Sequence, residues 1–218
     1  MSHEYTCKAI LFDMDGTLID TTPAVIRYWK RFCSKHNVVE EDLFKFSHGK
    51  RSIETIRQFV PHLATPEQVE IMENEAVEDT EGIVAIDGSH NLLKSLPPDT
   101  WGVVTSACLP MAIARIQQQN LPLPKVLVTG DKVVHGKPHP EGYLKGAEQL
   151  NVSPEDCLVF EDAPAGISAA LSSGMKVIGV ISTHSKEDLT GVLTHIKSYD
   201  ELDIQYDFNA GHFCIKYS

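Results

Sequence analysis

Short, unbroken apolar runs recur along the chain, each bounded by polar residues or glycine: Ala9–Phe12, Trp101–Val104, Val126–Val128, Leu158–Phe160 and Val177–Ile181. Runs of that length without alternation predict parallel strands buried on both faces. Between the later runs lie stretches with helical spacing, Gly88–Leu96, Pro110–Gln119, Pro140–Leu150 and Pro164–Ser173. Strand and helix in alternation predict an α/β fold with a doubly wound, mostly parallel, Rossmann-like sheet. The interval between the first strand and Gly88 breaks this rhythm. It carries helical patterns at Pro23–His36, Ser52–Val60 and Pro66–Thr80 and no convincing strand. A connection of that length is usually a functional insertion. Residues 18–86 are therefore expected to form a small α-helical cap domain beside a core made of 1–17 and 87–218. Near the C-terminal end, Ile204–Tyr217 alternates apolar and polar positions around Asn209-Ala210-Gly211, which predicts a β-hairpin.

Composition narrows the field. At 218 residues and 42% hydrophobic content, the chain is long enough to bury a core without covalent staples. Its five cysteines are scattered, with no C-x-x-C pair, so reduced thiols are expected. The first residues are polar and no apolar run reaches membrane-spanning length; a cytoplasmic protein is expected, a monomer by default. A formal net charge of −11 disfavours nucleic acid, which needs clustered Lys and Arg. The same charge means that an anionic substrate would need positive charge supplied at the site itself.

Four segments, each following a predicted strand, carry candidate chemistry. Asp13-Met14-Asp15-Gly16-Thr17 places two carboxylates off the C-terminal end of the first strand, where open α/β sheets bind ligands. Residues two apart on extended backbone point the same way, and paired carboxylates repel unless a cation or a reaction uses them. Asp and Gly are equally at home in a plain turn. Thr105-Ser106-Ala107 offers a hydroxyl and successive N–H groups that would cradle phosphate, or an ordinary cap. Gly136-Lys137-Pro138-His139-Pro140 restrains the backbone on either side of an ammonium group, although a lone lysine is often merely solvated. Glu161-Asp162 enters a helix, where acids also serve as caps. Taken together, three or four carboxylates at one sheet edge call for a hard cation such as Mg²⁺.

In this order the four segments resemble the motifs of the haloacid dehalogenase-like phosphohydrolases, and the insertion resembles that superfamily's helical cap. Tyr28-Trp29-Lys30-Arg31-Phe32, Phe46-Ser47-His48-Gly49, Gly136–Glu141 and Phe160–Gly166 are similar to the fungal glycerol-phosphate and 2-deoxyglucose-6-phosphate phosphatases. The resemblance implies a Mg²⁺-dependent phosphatase acting on a small polyol or sugar phosphate. Asp13 would be the nucleophile that becomes phospho-aspartate, and Asp15 the acid and then the base. Thr105, Ser106, Ala107 and Lys137 would bind phosphate. Asp13, the main-chain carbonyl of Asp15, Asp162 and, directly or through water, Glu161 would hold the metal.

In the insertion, Ser47–Arg51 mixes a bend with His48, Lys50 and Arg51, which would either bind substrate or form a solvated basic turn. Two other readings stand beside the phosphatase. A sugar phosphomutase of the same superfamily would carry a histidine shortly after the first motif, where this chain has Val25. A non-catalytic regulatory member would ordinarily have lost Asp13, Asp15 or Lys137, all of which are present.

Overall fold

The computed structural model describes residues 3–217. In chain order the strands and helices are β1 (His3–Cys7), β2 (Ala9–Phe12), β3 (Ile19–Asp20), α1 (Thr22–His36), α2 (Glu40–Ser47), α3 (Ser52–Phe59), α4 (Pro66–Val77), β4 (Val84–Ala85), α5 (Ser89–Ser95), β5 (Trp101–Val104), α6 (Leu109–Gln118), β6 (Val126–Val128), α7 (Glu141–Leu150), β7 (Cys157–Glu161), α8 (Pro164–Ser172), β8 (Lys176–Val180), β9 (His195–Ile196), β10 (Asp203–Asp207) and β11 (His212–Tyr217).

Six strands form one sheet in the order β6-β5-β2-β7-β8-β9, and every neighbouring pair is parallel. Strand β2 lies inside this sheet, so its four residues are all buried. Its alternate side chains enter opposite layers, as extended backbone requires. Ile10 and Phe12 join Leu92, Leu93, Ala112 and Ile116 from α5 and α6. Ala9 and Leu11 join Tyr143, Ala147, Ile167 and Ala170 from α7 and α8. Helices thus cover both faces, in agreement with the expected α/β architecture.

The five strands and four helices expected in the sheet region all form, with ends shifted by one residue at most. The predicted hairpin also forms, as β10 paired with β11. Four features were not anticipated: β1, the short β9, helix α2, and a two-residue ribbon of β3 with β4. Strand β1 pairs with β11 to complete a three-stranded antiparallel sheet.

Helices α1–α4 have an apolar cluster of their own, built on Trp29, Phe32, Leu43, Ile56 and Val69. Hydrogen bonds made by Arg51, Ser106 and Arg115 help fasten this layer to the sheet region. Arg51 Nη1 donates to the carbonyls of Val133 at 2.9 Å and Gly130 at 3.3 Å, and Nη2 to Val134 at 3.1 Å. Ser106 Oγ donates to the Gly49 carbonyl at 2.7 Å. Arg115 on α6 donates to the Ala76 carbonyl at 2.8 Å, near the C-terminal end of α4. The helical layer is thereby seated over the C-terminal edge of the parallel sheet. Among the described residues, no helix is long and apolar enough to cross a membrane.

Candidate active site

The chain leaves β2 at Phe12, and the Asp13 N–H still bonds to the Phe160 carbonyl of β7 at 3.0 Å. This fixes Asp13 at the central position of the sheet edge. The following turn depends on Gly16, whose φ of +83° suits glycine and whose Cβ, if present, would lie 2.2 Å from Asp162 Oδ2. The missing side chain lets the first and fourth motifs touch.

Lys137, delivered by the loop after β6, places Nζ 2.5 Å from Asp13 Oδ1 and 2.6 Å from Glu161 Oε1. All three residues are buried. Burial alone would lower the lysine, but the charges of Asp13 and Glu161 outweigh it and hold the ammonium form well above its usual range. Glu161 is held on every side. Oε1 also accepts from the Tyr143 hydroxyl at 3.0 Å, and Oε2 accepts from the N–H groups of Asp162 and Ala163 at 2.9 and 3.0 Å. With four donors on two oxygens, its clearest task is to orient Lys137.

Asp162 Oδ1 accepts from Thr17 at 3.0 Å, and Oδ2 accepts from Thr183. Asp15 Oδ1 accepts from Thr21 at 2.7 Å, with the Thr105 hydroxyl 3.5 Å from Oδ2. Burial raises the Asp15 carboxyl, against the lowering pull of Thr21, Arg115 and Lys137. Burial likewise drives Asp13 well above the carboxylate range; the nearby charge of Lys137 opposes this and those of Glu161 and Asp162 reinforce it. Acceptor oxygens of Asp13, Glu161 and Asp162 lie within 4.8 Å of one another. Three buried carboxylates around one ammonium leave negative charge uncompensated, and an all-oxygen donor set of this kind fits a hard divalent cation.

A cavity of about 160 Å³ opens above this floor. Asp13, Asp15, Gly16, Asp162 and Thr183 line its base, Ser106 and Ala107 one side, and residues of α1, α2 and α4 its roof. Thr105 and Lys137 front an adjoining hollow of about 10 Å³ instead. In the motif after β5, the Ala107 N–H donates to Thr105 Oγ1 at 3.1 Å, while the Ser106 hydroxyl holds Gly49.

The basic turn of the insertion divides. His48 and Lys50 line the cavity, His48 packing edge-on against His184 with ring centroids 5.0 Å apart. Arg51 does not line it; its guanidinium faces the 130–134 loop, where it docks the helical layer. Sequence reasoning did not single out Thr183, Tyr143, Arg115 or Glu73. Thr183 had a legible signal, since it follows a predicted strand just as the four motif segments do.

A family model described as haloacid dehalogenase-like hydrolase matches residues 10–199. The chain belongs to that family. This hydrolase is 38% identical over 203 residues to hexitol phosphatase A of Escherichia coli, covering 91% of this chain and 94% of that protein. It is 37% identical to glycerol-1-phosphate phosphohydrolase 2 of Saccharomyces cerevisiae, covering 81% and 75% of the two chains. Its identity to 2-deoxyglucose-6-phosphate phosphatase 2 of the same yeast is 35%, covering 85% of each. A β-phosphoglucomutase structure from Clostridium difficile superposes with a TM-score of 0.77 at 23% identity, over 90% of this chain and 93% of that one. That similarity extends to the fold.

Proposed function

We propose that the hydrolase is a Mg²⁺-dependent phosphatase acting on a small polyol or sugar monophosphate through a phospho-aspartate at Asp13. The observation that carries this reading is the Asp13 carboxylate itself. It stands at the base of a cavity, 2.5 Å from a buried ammonium and beside the Asp162 carboxylate.

Lys137, with the charge of bound Mg²⁺ added to its own, would hold Asp13 ionised against the upward push of burial. In the first step an Asp13 oxygen attacks phosphorus, the ester P–O bond breaks, and Asp15 gives its proton to the leaving oxygen. The raised Asp15 carboxyl favours the protonated form this step needs. In the second step Asp15, now ionised, takes a proton from water as the water oxygen attacks phosphorus. The bond to Asp13 breaks, and free phosphate leaves with both carboxyls restored to their starting states. Thr21 and Thr105 hold Asp15 in line for both proton transfers. Lys137, steadied by Glu161 and Tyr143, keeps positive charge against the developing phosphoryl anion. Asp13, the main-chain carbonyl of Asp15 and Asp162 would hold Mg²⁺, which when bound supplies charge that lets a phosphate dianion approach a carboxylate. The chain's acidity makes such local charge necessary.

The activities for which the hexitol, glycerol-1-phosphate and 2-deoxyglucose-6-phosphate relatives are named support a polyol or sugar leaving group. The test is a panel of phosphorylated polyols and hexoses assayed for products. Free phosphate without any phosphorylated isomer is expected; return of an isomer would point to a mutase. Val25, which lines the cavity, provides no acid or base for the mutase alternative.

The buried acids also give a pH signature. The Asp162 carboxyl is pushed up to about 7 by burial and by the Glu161 charge, whereas an unfolded aspartate titrates near ~4. Between those values the folded chain keeps a proton that the unfolded chain has released. Metal-free stability should therefore fall as pH rises from about 4 to 7, by on the order of a few kcal/mol. Melting curves in EDTA should show a lower Tm at pH 8 than at pH 5.5, and Mg²⁺ should raise Tm more at pH 8. A Mg²⁺ effect that is equal at the two pH values would mean that the buried acids do not form the ion site.

A further inference from the structure

The roof of the cavity carries charged groups that the catalytic steps leave unused. Glu73 of α4 and Lys50 of the turn after α2 both line it, and neither forms an ion pair among the described residues. Lys50 rests its ammonium 3.5 Å from the centroid of the Phe46 ring, an orientation that needs no carboxylate partner. Tyr28 also lines the cavity, and its hydroxyl is buried with no hydrogen-bond partner. That hydroxyl is held up by burial and by the charges of Glu73 and Glu75, which places Glu73 in its electrostatic neighbourhood. The rest of the roof is formed by apolar Val25, Ile26, Trp29 and Phe44, with the hydroxyl residues Thr22 and Ser47 among them.

We propose that Glu73, with Lys50 and the Tyr28 hydroxyl, forms a hydroxyl-binding subsite that receives the neutral polyol end of the substrate and rejects a second anionic group. The proposal rests on the phosphatase reading above and extends it to the leaving group. A carboxylate accepts from a hydroxyl, an ammonium donates to one, and a phenol does either. A chain of adjacent hydroxyls is the ligand that satisfies all three at once. A second phosphate would need unengaged cations, preferably arginine. Arg115 is the arginine lining the cavity, and it is already bonded to Ala76, Val77 and Gln118. Among the described lining residues that leaves Lys50 as the permanent cation free to attract a second anion, with Glu73 opposing it. An apolar leaving group would leave the Tyr28 hydroxyl without a partner and Glu73 with only the weakly donating Cys108 thiol beside it, which is costly. The cavity volume of about 160 Å³ is close to the ~150 Å³ engineered void that accepts benzene, room for a leaving group of several carbons.

The test compares two substrates, a six-carbon polyol monophosphate and p-nitrophenyl phosphate, which carries no hydroxyl. In Glu73→Ala the ratio of their kcat/KM values should fall about 10- to 100-fold, and in Tyr28→Phe about 3- to 10-fold. Glu73→Gln keeps the shape and removes the charge; it should raise relative turnover of a phosphate ester bearing a carboxylate by about 10-fold. Unchanged ratios in these variants, or equal losses on both substrates, would overturn the subsite and leave the phosphatase reading standing. If the unaltered chain releases no phosphate from either ester, the reading beneath the subsite fails and the subsite with it.

Discussion

Asp13→Asn should reduce phosphate release by roughly 10⁴- to 10⁶-fold, the scale on which removing a nucleophile acts in other hydrolases. The amide matches the carboxylate in shape, so Lys137 keeps an acceptor 2.5 Å away and β2 keeps its pairing. What it loses is an ionised oxygen able to attack phosphorus. It also removes one of three buried carboxylates that crowd a single ammonium, so stability should hold or rise slightly rather than fall. A lost rate with an intact or higher Tm separates this outcome from misfolding. A variant that turned over within tenfold of the unaltered protein would show that another group attacks.

Lys137→Ala should damage both rate and stability. Removing the ammonium leaves Asp13 and Glu161 buried without their counter-charge, and breaking a buried pair from one side costs about 3–5 kcal/mol. The rate should fall by roughly 10²- to 10³-fold, because positive charge poised against the phosphoryl group is lost. Saturating Mg²⁺ should recover part of the stability, since it neutralises the same carboxylates, but not the rate. If rate and Tm recovered together, the ammonium would be structural only. If Tm never fell, the pair would not be buried in solution as it is here.

Much of this arrangement was legible in the sequence because burial and chemistry coincide at the strand ends. Runs such as Ala9–Phe12 and Leu158–Phe160, in alternation with helical stretches, fit strands buried inside a parallel sheet, and Asp13, Thr105 and Asp162 follow such runs at once or within two residues. Their meeting at one edge follows from parallel strands ending together. Less visible were elements whose sequence does not mark their setting. Strand β1, His3–Cys7, is mostly exposed and polar, and gains its order from pairing with β11 at the far end of the chain. Helix α2 is eight residues long and buries only Leu43 and Ser47, too little apolar surface to stand out.

Side-chain direction was the other limit. Arg51 and Lys50 are adjacent and both basic, yet Lys50 lines the cavity while Arg51 turns to three loop carbonyls. Only the packing of α3 against the 130–134 loop decides between them. Glu161 and Asp162 diverge in the same way, one surrounded by Lys137, Tyr143 and two N–H groups, the other lining the cavity. Glu73 stands far from any motif and Tyr143 lies just past the Gly136–Glu141 segment, and their roles emerge from α4 and α7 meeting the site.

The most direct measurement is to quench turnover of a ³²P-labelled polyol phosphate with acid and map the labelled peptide. The account predicts acid-stable, base-labile label on the peptide containing Asp13, absent in Asp13→Asn. Label on any other peptide, or full turnover with none trapped on Asp13 even when hydrolysis of the intermediate is made the slow step, would contradict it.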